Sequence, residues 1–197
     1  MAQANSTLTL IEKAQKGNHS AQCQLLGIWY SRVYQYCLAS LLNHDAAMEA
    51  SQKTFICVWK KLDTLKDRTK FKSWLFAIAQ NQCLEERRID ARQLNGKNGY
   101  AASGFSTFQN TTPNPEACFI QQELQDSISS AIQALPPEQR QVVQLKEFEG
   151  MKFKEIATVL GVSENTVKSR LYYAFKRLRA TLKKKNINQN SFGDERG

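Results

Sequence analysis

Apolar residues recur at spacings of three and four along most of this chain. Between Ala21 and Leu42 they fall at Leu25, Leu26, Trp29, Val33, Tyr36 and Cys37, the period of an amphipathic helix. A second helix is predicted after Asn43-His44-Asp45, with Ala47, Ala50, Phe55, Val58 and Leu62 as its apolar stripe. A third runs from Phe71 to about Ile89, with Trp74, Leu75, Ile78, Ala79 and the Gln82–Cys83 pair near one side. No stretch alternates with period two for long enough to argue a strand. The predicted class is all-α.

The periodicity stops at Arg92. Fourteen of the 27 residues from Arg92 to Cys118 are Gly, Pro, Ser, Thr or Asn and only three are charged, so they read as a linker. The chain then divides into residues 1–91, the linker 92–118, residues 119–185 and a tail 186–197. Two small helical domains joined by a flexible linker are expected, each burying a thin core.

The second half is punctuated more sharply. A helix from Leu124 to Leu135 is stopped by Pro136-Pro137, and Pro137 suits the first turn of the next helix, where its missing N–H costs nothing. That helix runs through Val142, Val143 and Leu145 to Phe148, with Gly150 as a left-handed exit. A short helix from about Lys152 to Leu160 meets Gly161, and Ser163 is a good N-cap for a last helix, with Glu164 complementing its dipole. A short helix, a tight glycine turn and a longer helix make helix–turn–helix spacing.

On that last helix Val167, Leu171, Ala174, Phe175, Leu178 and Leu182 are predicted to share a buried side. Asn165, Ser169, Tyr172, Tyr173 and Lys176 fall opposite, with Lys168 and Arg170 on the flanks. From Asn165 to Lys185 there are eight Lys or Arg and no acid, so the helix suits a polyanion rather than a merely solvated face. Phosphate attraction needs only the charge, whereas base reading needs Asn, Ser, Lys or Arg side chains that reach groove edges.

Composition agrees with that reading and excludes others. The 197 residues carry Lys+Arg 27 against Asp+Glu 18, a formal charge of +9. No run approaches the ~20 apolar residues of a membrane span, and Glu12 and Lys13 interrupt any signal-peptide core, so a cytoplasmic protein without membrane insertion is expected. Five cysteines with no C-x-x-C pair indicate neither a disulfide framework nor a zinc knuckle. His19 and Cys23 could share a helix face, but buried, inert thiols are the better reading and no metal is assigned. No metal-spaced carboxylate cluster, Cys/His nucleophile pair or phosphate-binding glycine loop is present, so neither catalytic residues nor a cofactor are expected.

The motifs also resemble a known family. Ala134-Leu135-Pro136-Pro137-Glu138-Gln139-Arg140 through Val143, then Glu147-Phe148-Glu149-Gly150, Phe153-Lys154-Glu155-Ile156-Ala157 and Val162-Ser163-Glu164-Asn165-Thr166-Val167-Lys168-Ser169-Arg170-Leu171 resemble region 4 of sigma-70 initiation factors. Asp45-Ala46 with Gln52-Lys53-Thr54-Phe55 and Val58-Trp59 is similar to region 2.2, and Phe71 to Asn81 to regions 2.3 and 2.4. A linker in place of region 3 points to the extracytoplasmic-function subgroup.

The resemblance implies a specificity subunit of bacterial core RNA polymerase that binds promoter DNA, in a subgroup commonly held inactive by an anti-sigma factor. It assigns polymerase binding to Asp45, Glu49, Gln52 and Phe55. It assigns the melted −10 element to Lys70, Lys72, Asn81, Arg87 and Arg88. For the −35 duplex it implies Asn165, Thr166, Lys168, Ser169, Arg170, Tyr172, Tyr173 and Lys176, with Arg170 and Lys176 toward phosphate. Lys53, Gln80, Gln82 and Tyr173 depart from the family pattern, which favours an acid at the first, arginines at the next two and a basic residue at the last. Trp74 and Phe76 could serve as stacking platforms, but their spacing with Phe71 and Ile78 reads better as core. The competing class is a helix–turn–helix repressor or activator, dimeric and independent of polymerase.

Overall fold

A computed structural model describes residues 2–94 and 125–184. They form α1 (Ala2–Gln15), α2 (His19–Leu41), α3 (His44–Lys61), α4 (Phe71–Leu94), α5 (125–133), α6 (Pro137–Val143), α7 (Phe153–Leu160) and α8 (Glu164–Lys184). Two 3-10 turns, Leu62–Thr64 and Arg68–Lys70, join α3 to α4. Among the described residues there is no strand, and the all-α class holds. Of the expected linker only residues 92–94 are described, where they close α4; its remainder and the tail 186–197 lie outside the described residues.

Local chemistry accounts for the helix ends. Asn18 and Asn43 cap α2 and α3, each side-chain oxygen accepting from a backbone N–H at 2.9 Å, from Ala21 and Ala46 respectively. Between those helices Leu42 takes the left-handed conformation, φ 55°, which most residues avoid. Pro137 opens α6, and Gly161 ends α7 at φ 66°, where any side chain would be strained. Ser163 caps α8, its hydroxyl oxygen accepting from Thr166 N at 3.0 Å. The helix α1 lies where the hydrophobic pattern predicts nothing, because among its described side chains only Ile11 and Ala14 are buried. It is tied down through Gln15, whose amide donates to Leu62 O and Leu65 O at 2.9 Å.

The first four helices bury the stripes their spacing indicates. Leu25, Trp29, Val33, Tyr36 and Cys37 meet Ala47, Ala50, Phe55 and Val58 from α3, with Leu75, Phe76, Ala79 and Cys83 from α4. Edge-to-face ring pairs fix the layers: Trp29 with Phe71 at 5.6 Å and Tyr36 with Phe76 at 5.4 Å. Phe76 is therefore core, and Trp74 is half-buried beside Phe71. A hydrogen bond with Cys83, reinforced by burial, holds the Cys37 thiol well above its ordinary value, so that thiol is inert. Cys23 is exposed instead, its sulfur 3.6 Å from His19 Nδ1.

The two halves do not sit apart. Val142, Leu145, Met151, Ile156 and Val167 join the same buried cluster as the first four helices. A smaller cluster of Leu135, Val143 and Ala174 is internal to the second half. Beyond α6 the helix widens into a π turn over Gln144–Phe148, closed by Glu149 N donating to Gln144 O at 3.1 Å. That extra residue turns Phe148 out to solvent and carries Glu149 inward, where it is only 4% exposed.

Candidate nucleic-acid interface

The helix α8 stands with one face against α6 and α7 and the other open. At about 100° per residue, Asn165, Lys168, Ser169, Tyr172, Lys176, Arg179 and Lys183 make one continuous stripe. All seven are exposed, and Tyr172 is 64% exposed. The upper part carries Lys168 with its ammonium 5.8 Å from the centroid of Phe153, and Tyr172 edge-on to Tyr173 at 5.4 Å. Ser169 Oγ donates to Asn165 O at 2.8 Å, leaving its lone pairs to accept from a base edge. Further along, Tyr172, Phe175, Lys176, Arg179 and Lys183 border a shallow groove.

Two expectations for this helix change. Phe175 is 47% exposed rather than buried, since it lies about 100° round the helix from fully buried Ala174, beyond the reach of α6. Thr166 is half-buried, and its hydroxyl and backbone N–H are both engaged by Ser163, which makes it part of the cap. Arg170 stays on the flank where its spacing puts it, half-buried.

The five residues expected at a melted strand do not form one surface. Asn81 and Arg88 share the exposed side of α4, and Arg88 is 3.3 Å from Glu85. Lys70 is exposed in the 3-10 turn, 3.5 Å from Asp67. Lys72 and Arg87 are turned away. Lys72 Nζ donates to Glu149 O at 2.7 Å, and Arg87 Nη2 donates to Ser40 O at 2.7 Å. Nine residues of helix separate Lys72 from Asn81, which is half a turn out of phase.

On α3 the exposed face is Asp45, Met48, Glu49, Gln52 and Ile56. Phe55, expected on that face, is 5% exposed and packs between Tyr30 at 6.0 Å and Trp59 at 6.2 Å. Ile56, one residue on and 52% exposed, takes its place. The signal was available in the spacing 45, 49, 52, 56, which marks one side of a helix. Lys53 lies beside this face, 2.7 Å from buried Glu86 and 3.2 Å from Glu49, and the Glu86 hydrogen bond raises its pKa. A lysine at that position thus neutralises a buried carboxylate.

A polar seam joins the halves. Gln141 Nε2 donates to Ser40 Oγ at 2.8 Å and to Gln80 Oε1 at 2.9 Å, and Tyr36 OH donates to the same Gln80 oxygen at 2.6 Å. Gln80 is therefore a partner of the second half rather than part of a strand-binding surface. Glu149 forms an ion pair with Arg32, whose guanidinium also lies over the Trp29 ring at 4.4 Å. Arg140 is buried at the seam as well, and burial, followed by the charge of Arg87, pushes it down to about 10. It remains charged at neutral pH. Among the described residues no group of three metal-ligating side chains surrounds His19 and Cys23, and no helix is long and apolar enough to cross a membrane.

With this geometry in view, known proteins supply the context. Residues 25–93 match the family Sigma-70 region 2, and residues 125–178 match Sigma-70, region 4. The ECF RNA polymerase sigma factor SigL of Mycobacterium tuberculosis is 31% identical over 176 residues, spanning 87% of this chain and 96% of that protein. SigW of Bacillus subtilis, an ECF RNA polymerase sigma factor, is 28% identical over 180 residues, spanning 88% and 95%. Among solved structures, CnrH in complex with the cytosolic domain of CnrY aligns with a TM-score of 0.60 at 25% identity, covering 89% of this chain and 96% of that one. The sigma factor RpoE of Bartonella quintana, in complex with the anti-sigma factor NepR, shares the fold at a TM-score of 0.68 and 22% identity, over 81% and 95%.

Proposed function

The chain belongs to the extracytoplasmic-function (ECF) subgroup of the sigma-70 family, and from that membership we propose that it is a dissociable subunit directing bacterial RNA polymerase to promoters. The observation that carries this reading for the chain's own residues is the open stripe of α8. It is acid-free, basic along its whole length and presented behind a capped helix–turn–helix. A rigid helix of that kind fits the major groove of a −35 duplex. Asn165, Lys168, Ser169, Tyr172 and Tyr173 face bases, and Lys176, Arg179 and Lys183 meet phosphate.

The first half takes the other two roles. Asp45, Met48, Glu49, Gln52 and Ile56 dock on core polymerase, while Asn81, Arg88 and Lys70 hold the melted −10 strand. Lys72 joins them only when Glu149 has been released, which makes the closed packing incompatible with full −10 capture, whereas Arg87 is held by Ser40 within the first half itself. Nucleotidyl transfer belongs to the polymerase, and the chain supplies no catalytic group. It works in the cytoplasm, and an anti-sigma factor is the natural antagonist, as NepR is the anti-sigma factor bound to RpoE.

Run-off transcription with purified core polymerase tests the proposal. Transcription from a cognate promoter only when both are present is expected. Tight binding of duplex operator by a dimer of this chain alone would assign it to conventional repressors instead. Within α8, Lys168→Ala should cost about 1–3 kcal/mol at one promoter position, whereas Lys176→Ala should weaken all sequences alike and lower the salt slope by about one unit. Holoenzyme binding to single-base promoter variants at several salt concentrations separates the two; identical profiles would reverse the orientation of the helix. On α3, the Glu49→Ala/Gln52→Ala double variant should bind core polymerase several-fold more weakly with unchanged helicity, because both side chains are exposed. Unaltered affinity in a pull-down would remove that face from the interface.

A further inference from the structure

Where α2 meets α5 and α6, the seam opens into a groove with a cavity of about 220 Å³. Its apolar lining is Leu38, Ala39 and Leu42 from the end of α2, Ile132 from α5 and Phe148 from the π turn, and three glutamines and a serine complete the walls. The rim is unusual in three ways. Phe148 is 58% exposed, Leu42 is 37% exposed, and Leu42 is a non-glycine residue held at φ 55°. Beneath them lies Arg140, which also lines the groove and is 2% exposed.

Arg140 is incompletely satisfied. Its Nη2 donates to Leu135 O at 2.7 Å, but Nε and Nη1 are closed to water and have no hydrogen-bond partner. Among the described residues no carboxylate forms an ion pair with it. The nearest influential charges are Arg87, of the same sign, and exposed Glu138. A buried guanidinium with free donors and a net positive surrounding strongly favours an anion. The apolar part of the lining suits a hydrocarbon tail better than a fully hydrated inorganic ion, and a single buried cation matches a single negative charge. A docked helix would need anchor pockets repeated along a longer track; here one cavity stands over one cation.

We propose that this groove binds a small amphiphilic monocarboxylate, with its carboxylate on Arg140 and its aliphatic or aromatic tail along Leu38, Leu42, Ile132 and Phe148. The carboxylate reaches Nε and Nη1 by displacing lining side chains, since those nitrogens are closed to water as the groove stands. Because α2 belongs to the first half of the chain and α5 and α6 to the second, the ligand touches both. Its binding therefore holds the halves in their packed arrangement and links the free concentration of such an acid to the release of Lys72.

Calorimetric titration and thermal melting of the full chain with sodium octanoate test this. One saturable site and a raised melting temperature are expected with octanoate. Acetate lacks the tail and 1-octanol lacks the charge, so neither should reproduce it. Arg140→Met should abolish the discrimination between octanoate and octanol. Phe148→Ser, at an exposed position that tolerates change, should weaken octanoate about tenfold with the fold intact. Equal binding of octanol and octanoate, or octanoate binding indifferent to Phe148→Ser, would overturn the proposal. So would the absence of saturable binding, which would leave the groove to a protein segment.

Discussion

Val167→Asp is expected to destabilise the folded chain by more than ~4 kcal/mol, the range reserved for a charge forced into a core. Val167 is fully buried at the first turn of α8 and belongs to the cluster that includes Val142, Leu145 and Ile156. No cation lies among those neighbours to pair with the new carboxylate. Ser169→Ala, two residues on and exposed, should stay within about 0.5 kcal/mol of the parent protein. Urea denaturation followed by far-ultraviolet circular dichroism reads both. An unchanged midpoint in Val167→Asp would mean that α8 does not pack by this face.

The second large effect separates neighbours on α3. Phe55→Ala should cost about 3–5 kcal/mol in stability, because its ring fills the space between Tyr30 and Trp59 and little can collapse into the void. Ile56→Ala should leave stability within about 1 kcal/mol, since its side chain is already half in water. For polymerase affinity the order reverses: the Ile56 variant, fully folded, should bind core enzyme more weakly. Thermal melting beside a core-binding assay distinguishes them. Should the Phe55 variant melt normally and the Ile56 variant bind normally, the surface assigned to α3 would be wrong on both counts.

The contrast between Phe55 and Phe175 shows where periodicity stops informing. Residues at the centre of an apolar stripe, such as Val58 and Ala50, are buried whatever surrounds the helix. A residue at the margin is buried only if a neighbour reaches it. Phe55 is covered by Tyr30 and Trp59, whereas Phe175, equally marginal on α8, is left open. Spacing places both at an edge and carries no information about what lies across it.

The sequence by itself determined the helices from α2 onward, the all-α class, the helix–turn–helix and the basic stripe of α8. Each rests on interactions within about four residues: an Asn or Ser capping the next turn, Pro137 at a first turn, Gly161 where φ must be positive, and like residues returning to one helix face. Tertiary structure alone decided how the halves meet. Gln141 finds Gln80 across 61 residues, Arg32 finds Glu149 across 117, and Lys72 finds Glu149 O across 77. Those partnerships withdrew Lys72 and Gln80 from the surface and left Arg140 buried without an anion. A polar side chain takes its role from whatever faces it, and here what faces it comes from the far half of the chain.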